Sequence, residues 1–160
     1  MPLRFDEPSP GMEKIPDVVL TPEEHQECLD FIKMITHSDE GEWYVRPDLA
    51  EAMRRHLMAS AMMGRAERFA ILAGTQAEYR EKACEAAAKA SAIYPTSVYV
   101  FDFARILEQC GHPGEARTMF AEFLRRHKSG PLSEIDDSIM AQRDIDGMIG
   151  YANERIGGGA

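Results

Sequence analysis

Five histidines, three cysteines and 27 acidic residues are the groups that could do chemistry in this 160-residue chain. Their spacing argues mostly against it. His25 and Cys28 stand three apart, as two metal ligands on one helical turn would, but no second ligand pair with usable spacing accompanies them. A surface histidine beside a core cysteine is the better reading. A di-iron bundle needs Glu-x-x-His, and the residues three before His25, His37, His56, His112 and His127 are Pro22, Met34, Met53, Gln109 and Leu124. Asp144, Asp146 and Gly147 resemble part of a calcium loop with the glycine at its sharp turn. The first and last ligand positions then fall on Gln142 and Asn153, so both key carboxylates are missing and an acidic helix face fits better. There is no His-Glu-x-x-His, Gly-x-Ser-x-Gly, phosphate-binding loop or Gly-x-Gly-x-x-Gly. No catalytic, cofactor-binding or metal-ligating residue is therefore assigned. Acids converging in space around His56 or His112 stay open as an enzyme's cleft, which a cluster of shifted pKa values in one apolar pocket would favour.

The elements that would position these groups read as helices throughout. Residues 1–20 carry four prolines and almost no periodicity, a flexible leader in which Val18, Val19 and Leu20 could dock on the body. Thr21-Pro22-Glu23-Glu24 combines a threonine cap, proline at the first helical position and a capping box. It predicts a helix to about His37 with Cys28, Leu29, Ile32 and Ile35 inward. A polar loop over 38–42 leads to Trp43 and Tyr44, which could anchor a partner or plug the end of the bundle. From Pro47, Leu49, Met53, Leu57 and Ser60 mark one helical face, and Ala66, Phe69, Ala70 and Ala73 carry the next stripe. Gly64 lies between them, leaving one bent helix or two. Thr75 to Glu78 is a second capping box, predicting a helix to Tyr94 that Pro95 closes. Its inner residues include Ala83, Ala87 and Ala90, which predict close helix–helix approach. After Gly130-Pro131, Ser133 caps a last helix through about Arg155, and Gly157 to Ala160 read as a disordered tail.

Residues 97–130 carry the clearest pattern. Val100, Phe103, Ala104 and Leu107 fall at i, i+3, i+4 and i+7, one apolar stripe of a 3.6-residue helix. Gly111 sits where a left-handed cap is cheapest, and Ala116, Phe120, Phe123 and Leu124 form the stripe of a second helix. The placement of Val100, Phe103, Ala104, Leu107, Gly111, Ala116 and Phe120 resembles the tetratricopeptide (TPR) repeat, a 34-residue helix–turn–helix unit. Phe123 stands where that pattern prefers a small residue, and Lys128 replaces its closing proline. Ala83, Ala87, Ala90 and Pro95 match the second half of a preceding copy at about 64–96. The resemblance implies that the first helix of the pair lines a concave groove. Carried over position by position, it puts Val98, Phe101, Arg105, Glu108 and Gln109 in that groove, with Asp102 close by.

Composition sets the remaining bounds. The chain suits one domain with a single core, over 21–156, and its 44% hydrophobic and 28% charged content is ordinary for a globular protein. A formal charge of −9 argues against a nucleic-acid binder, which needs a basic face. Cys28, Cys84 and Cys110 are odd in number and each lies in a helical pattern, so buried reduced thiols are expected. No apolar run reaches the roughly 18 residues of a membrane span, and the acids and prolines of the N-terminus are unlike a secretory signal. A cytoplasmic location is expected. Ten methionines, Met58, Met62 and Met63 among them, fit core filling better than a plastic binding surface.

The fold expected is all-α: a TPR-like antiparallel stack or compact bundle of five to six helices, the last one a cap. The function expected is a non-enzymatic adaptor or chaperone-like module that binds a protein or peptide, without cofactor. In size, acidity and repeat-like content the chain is also similar to the small secretion chaperones of bacterial type III systems. A helical subunit of a homo-oligomer or larger enzyme, and an enzyme with a convergent site, are the alternatives.

Overall fold

The computed structural model describes residues 15–36 and 49–157, and these form seven helices with no strand among the described residues. They are α1 (Pro22–Thr36), α2 (Ala50–Ala73), α3 (Tyr79–Ile93), α4 (Ser97–Gln109), α5 (Pro113–Ser129), α6 (Ile135–Ala141) and α7 (Ile145–Gly157). The expected all-α class holds. None of these helices is long and apolar enough to cross a membrane.

Local signals account for most of the boundaries. The Thr21–Glu24 box forms reciprocally: Glu24 N–H donates to Thr21 Oγ1 at 3.2 Å and Thr21 N–H to Glu24 Oε1 at 2.8 Å. α2 is one continuous helix of 24 residues, so Gly64 softens it without ending it. The turn between α4 and α5 is a Schellman cap: Gly111 has φ 91°, its N–H reaches Glu108 O, and His112 N–H reaches Leu107 O at 2.9 Å.

Two boundaries differ from the sequence reading. The Thr75–Glu78 box does not form, and α3 starts at Tyr79. Thr75 Oγ1 instead donates to Leu72 O at 3.3 Å, serving the end of α2, while backbone turns carry residues 74–80. The expected last helix is two helices, which raises the count above the five or six anticipated. Asp144 is the reason: its Oδ1 accepts from Gly147 N–H at 3.1 Å and its carbonyl from Met148 N–H, a side-chain cap that starts α7 afresh. A Cβ on Gly147 would collide with the Asp144 carboxylate, so the glycine makes room for the cap. The suspected calcium-loop fragment is thus a helix start.

α2 packs against α3, α3 against α4, α4 against α5, and α7 against α5, while α1 lies on α2. Alanines meet where α2 and α3 touch: Ala59, Ala66, Ala83, Ala87 and Ala90 are all fully buried. Small side chains let the backbones approach and gain contact along their whole length. In the second pair the filling is aromatic, with the Phe101 ring 5.6 Å from Phe120 and 5.1 Å from Phe123. Cys28, Cys84 and Cys110 are buried free thiols. Burial pushes Cys28 up to about 11 and Cys84 to about 12, so neither is a nucleophile at neutral pH.

Residues 15–20 lie against this body. Ile15, Val18 and Leu20 pack on the core while Val19 stays exposed. The buried guanidinium of Arg55 holds them, donating to the carbonyls of Ile15 and Pro16 and to the Asp17 carboxylate. Its other partners are Glu51 Oε1 at 2.9 Å and Ile93 O at 2.8 Å.

Candidate functional site

α2 and α4 lie side by side, and the stripe each turns toward the other builds a groove. On α2 the stripe is Met53, Leu57, Ser60, Met63, Glu67 and Ile71; on α4 it is Val98, Asp102, Arg105 and Gln109. Both series advance by three or four residues, the spacing that keeps side chains on one face. A cleft of about 540 Å³ occupies one end of the groove, where Phe31 of α1 and Ile135 and Ile139 of α6 join the walls. A smaller hollow of about 230 Å³ occupies the other end, between Ala70 and Ile71 on one wall and Arg105, Ile106 and Gln109 on the other. Glu67 and Asp102 border both, so the two adjoin. The N-terminal halves of α2 and α4 line one end and their C-terminal halves the other, so the helices run in the same direction.

The larger cleft is chemically mixed. The Tyr99 phenol lies 2.8 Å from His56 Nδ1 and 3.2 Å from the His56 carbonyl. Both contacts are met when the phenol proton goes to the carbonyl and Nδ1–H to the phenol oxygen, which places a proton on Nδ1. Burial lowers the His56 pKa, opposed by the negative Asp136 nearby, and burial raises that of Tyr99. Asp102 takes a bidentate pair from Arg143, at 2.7 and 3.1 Å, and this pairing holds the guanidinium above its ordinary pKa against partial burial. Behind the cleft, Asp136 is 1% exposed and accepts from Tyr94 Oη, from Thr96 Oγ1 at 3.1 Å and from Leu132 N–H at 2.6 Å. This carboxylate, without a cation among the described residues, pins α6 to the segment joining α3 and α4. Burial and the adjacent Asp136 both push the Tyr94 phenol up.

The six groove residues expected from sequence divide into two sets. Val98, Asp102, Arg105 and Gln109 lie along the α2–α4 groove, with Val98 in its floor and Arg105 and Gln109 exposed. Phe101 and Glu108 turn toward α7. Phe101 is 4% exposed and packs edge-on against Tyr151 at 5.9 Å, and Glu108 accepts from Tyr151 Oη and from Arg155 Nε at 2.6 Å. α7 therefore covers Phe101 and engages the half-buried Glu108 through Tyr151 and Arg155.

Other candidates resolve singly. His112 Nε2 lies 3.0 Å from Glu81 Oε1, tying the α4–α5 turn to α3 and not opening on the cleft. Cys28 is buried with its thiol toward Met58 O, while His25 is exposed. Among the described residues no three His, Cys, Asp or Glu are placed to hold a metal ion. Met62 and Met63 are core, Met58 lies half-buried outside the groove, and Met53 and Met63 contribute to the groove wall. Trp43 and Tyr44 lie outside the described residues. The sequence reading missed Glu67 and Arg143. Glu67 follows Met53, Leu57 and Ser60 at helical spacing and could have been found; Arg143 has no local signal, since its partner lies 41 residues away.

No family model matches the chain, and no curated protein or solved structure matches it.

Proposed function

We propose that the protein is a non-enzymatic interaction module that takes a peptide or partner helix in the groove between α2 and α4. The pairs α2–α3 and α4–α5 would act as two TPR-like hairpins, with α7 as the closing helix. The observation that carries the reading is that two adjoining hollows follow the same pair of helices. Nineteen residues of α2, from Met53 to Ile71, run along it, a length of about 27 Å at the helical rise. Apolar and charged side chains alternating along its walls suit a segment of chain better than a small metabolite.

Selection of a displayed random 20-residue peptide library on the immobilised protein tests this. Clones enriched on the wild type should be lost on Gly64→Trp. That change places an indole in the cleft and removes a helix-weakening glycine, so the fold should survive, as circular dichroism will check. Equal binding to both proteins, or no enrichment at all, overturns the reading.

A second reading draws on His56. A neutral histidine facing a cleft beside Tyr99 and the Asp102–Arg143 pair is a proton-transfer constellation in search of a nucleophile. The burial that sets its pKa also has a structural explanation, so the interaction module is the preferred conclusion.

A further inference from the structure

Glu67 and Arg105 differ from the other charges of the groove. Asp102 and Arg143 neutralise each other, and Arg68, the next basic residue on α2, is engaged by Glu27 of α1. Glu67 on α2 and Arg105 on α4 make no ion pair or hydrogen bond among the described residues, although Glu67 acts at a distance on Arg143. Both are exposed, and they line the same end of the groove from opposite walls. His56 is the remaining titratable wall group of α2 and lies in the larger cleft.

The walls also constrain the backbone of an occupant. Nearly every lining residue is inside a helix, and all but those in a first or last turn, such as Val98, Tyr99 and Gln109, have both backbone groups bonded along it. Gln142 and Arg143, just beyond α6, send their N–H groups back to Ile139 O and Met140 O. The groove therefore has no unpaired sheet edge against which an extended chain could bond. An occupant that satisfies its own backbone is a helix.

We propose that the partner segment is an amphipathic helix whose apolar stripe lies between α2 and α4, with a basic residue on the flank facing Glu67 and an acidic one on the flank facing Arg105. In heptad terms the apolar residues occupy a and d, and the two opposite charges occupy e and g of one heptad. Since e and g lie on opposite sides of the stripe, the assignment of charge to wall also fixes the direction in which the partner runs. This inference rests on the groove reading and adds its polarity. The apolar contacts supply affinity, and the crossed charges choose among partners and orientations.

The same displayed library, selected in parallel on wild type, Glu67→Lys and Arg105→Glu, separates the two claims. Both positions are exposed, so neither variant should disturb folding. Wild-type clones should share helical apolar spacing with one basic and one acidic flank. They should bind Glu67→Lys at least about tenfold more weakly, because like charges then face each other. Selection on Glu67→Lys should return clones acidic on that flank, and selection on Arg105→Glu clones basic on the other. Enrichment in which all three proteins yield the same charge pattern overturns the polarity and leaves the groove reading standing. Enrichment of proline-rich or otherwise non-helical clones overturns the helix. No enrichment on the wild type removes both.

Discussion

The α4–α5 hairpin and α6 both contribute to the groove region, yet different forces hold them. The hairpin is fixed by apolar contact: Phe101, Phe120 and Phe123 interleave, Ala104 and Ala116 are fully covered, and the turn satisfies its own carbonyls through the Gly111 cap. α6 has seven residues and buries little beyond Ile135 and Asp136. It is held by one carboxylate that collects three donors, and Arg143 just after it is drawn to Asp102. Apolar burial is strong and tolerant of direction, whereas a polar tether is modest in net energy and costly when half-broken. The hairpin should therefore govern whether the protein folds, and the tether where α6 sits.

Three measurements press on that contrast. The largest effect belongs to Phe120→Ala, which empties a fully buried site between Phe101 and Tyr151. A loss of about 3–5 kcal/mol is expected in urea unfolding, with an unchanged m-value. A loss below 1 kcal/mol would mean the hairpin is not the anchor. Asp136→Ala comes next: it strands the Thr96 hydroxyl and the Leu132 N–H and leaves Tyr94 Oη only Ser133 Oγ, at a cost of about 2 kcal/mol. Hydrogen exchange should quicken over 132–141 while 97–129 keeps its protection. Equal loss of protection in both would show that the two regions unfold as one unit.

The smallest effect is a pH dependence. Burial depresses the His56 pKa in the folded chain, so the unfolded chain takes up this proton first as pH falls. More protons on the unfolded state means stability rising with pH, and here it means stability lost as pH drops below the ordinary histidine value of about 6.5. Glu24, the described carboxylate whose depressed pKa is matched to Lys89 and the Thr21 cap, weakens the fold only at more acid pH. His56→Gln should flatten the stability profile between about pH 7 and 5 relative to wild type, by the same logic. An unchanged slope would count against the buried neutral ring.

The same contrast explains what the sequence made legible. The stripes of α2, α4 and α5, the Thr21 box, the Gly111 cap and the alanines of α3 are local patterns, and each lies where periodicity puts it. Thr75 failed because a threonine hydroxyl can serve either the helix behind it or the one ahead, and four residues of sequence do not decide between them. Asp144 was visible, but an aspartate three before a glycine reads equally as an ion ligand or a cap. Phe101 and Glu108, which face α7, show a different limit: a single hairpin does not reveal which helix will pack on it. The Asp102–Arg143 and Arg55–Asp17 pairs join residues about 40 apart, beyond any local pattern.

The buried guanidinium of Arg55 bears on how the chain can be shortened. Thr21 opens the first helix so clearly that it invites trimming everything before it. Of the five acceptors around Arg55, three come from Ile15, Pro16 and Asp17, so a version beginning at Thr21 would keep a cation in the interior with only Glu51 and Ile93 to answer it. A cut placed on the helix boundary would remove those three acceptors and weaken the floor beneath α2.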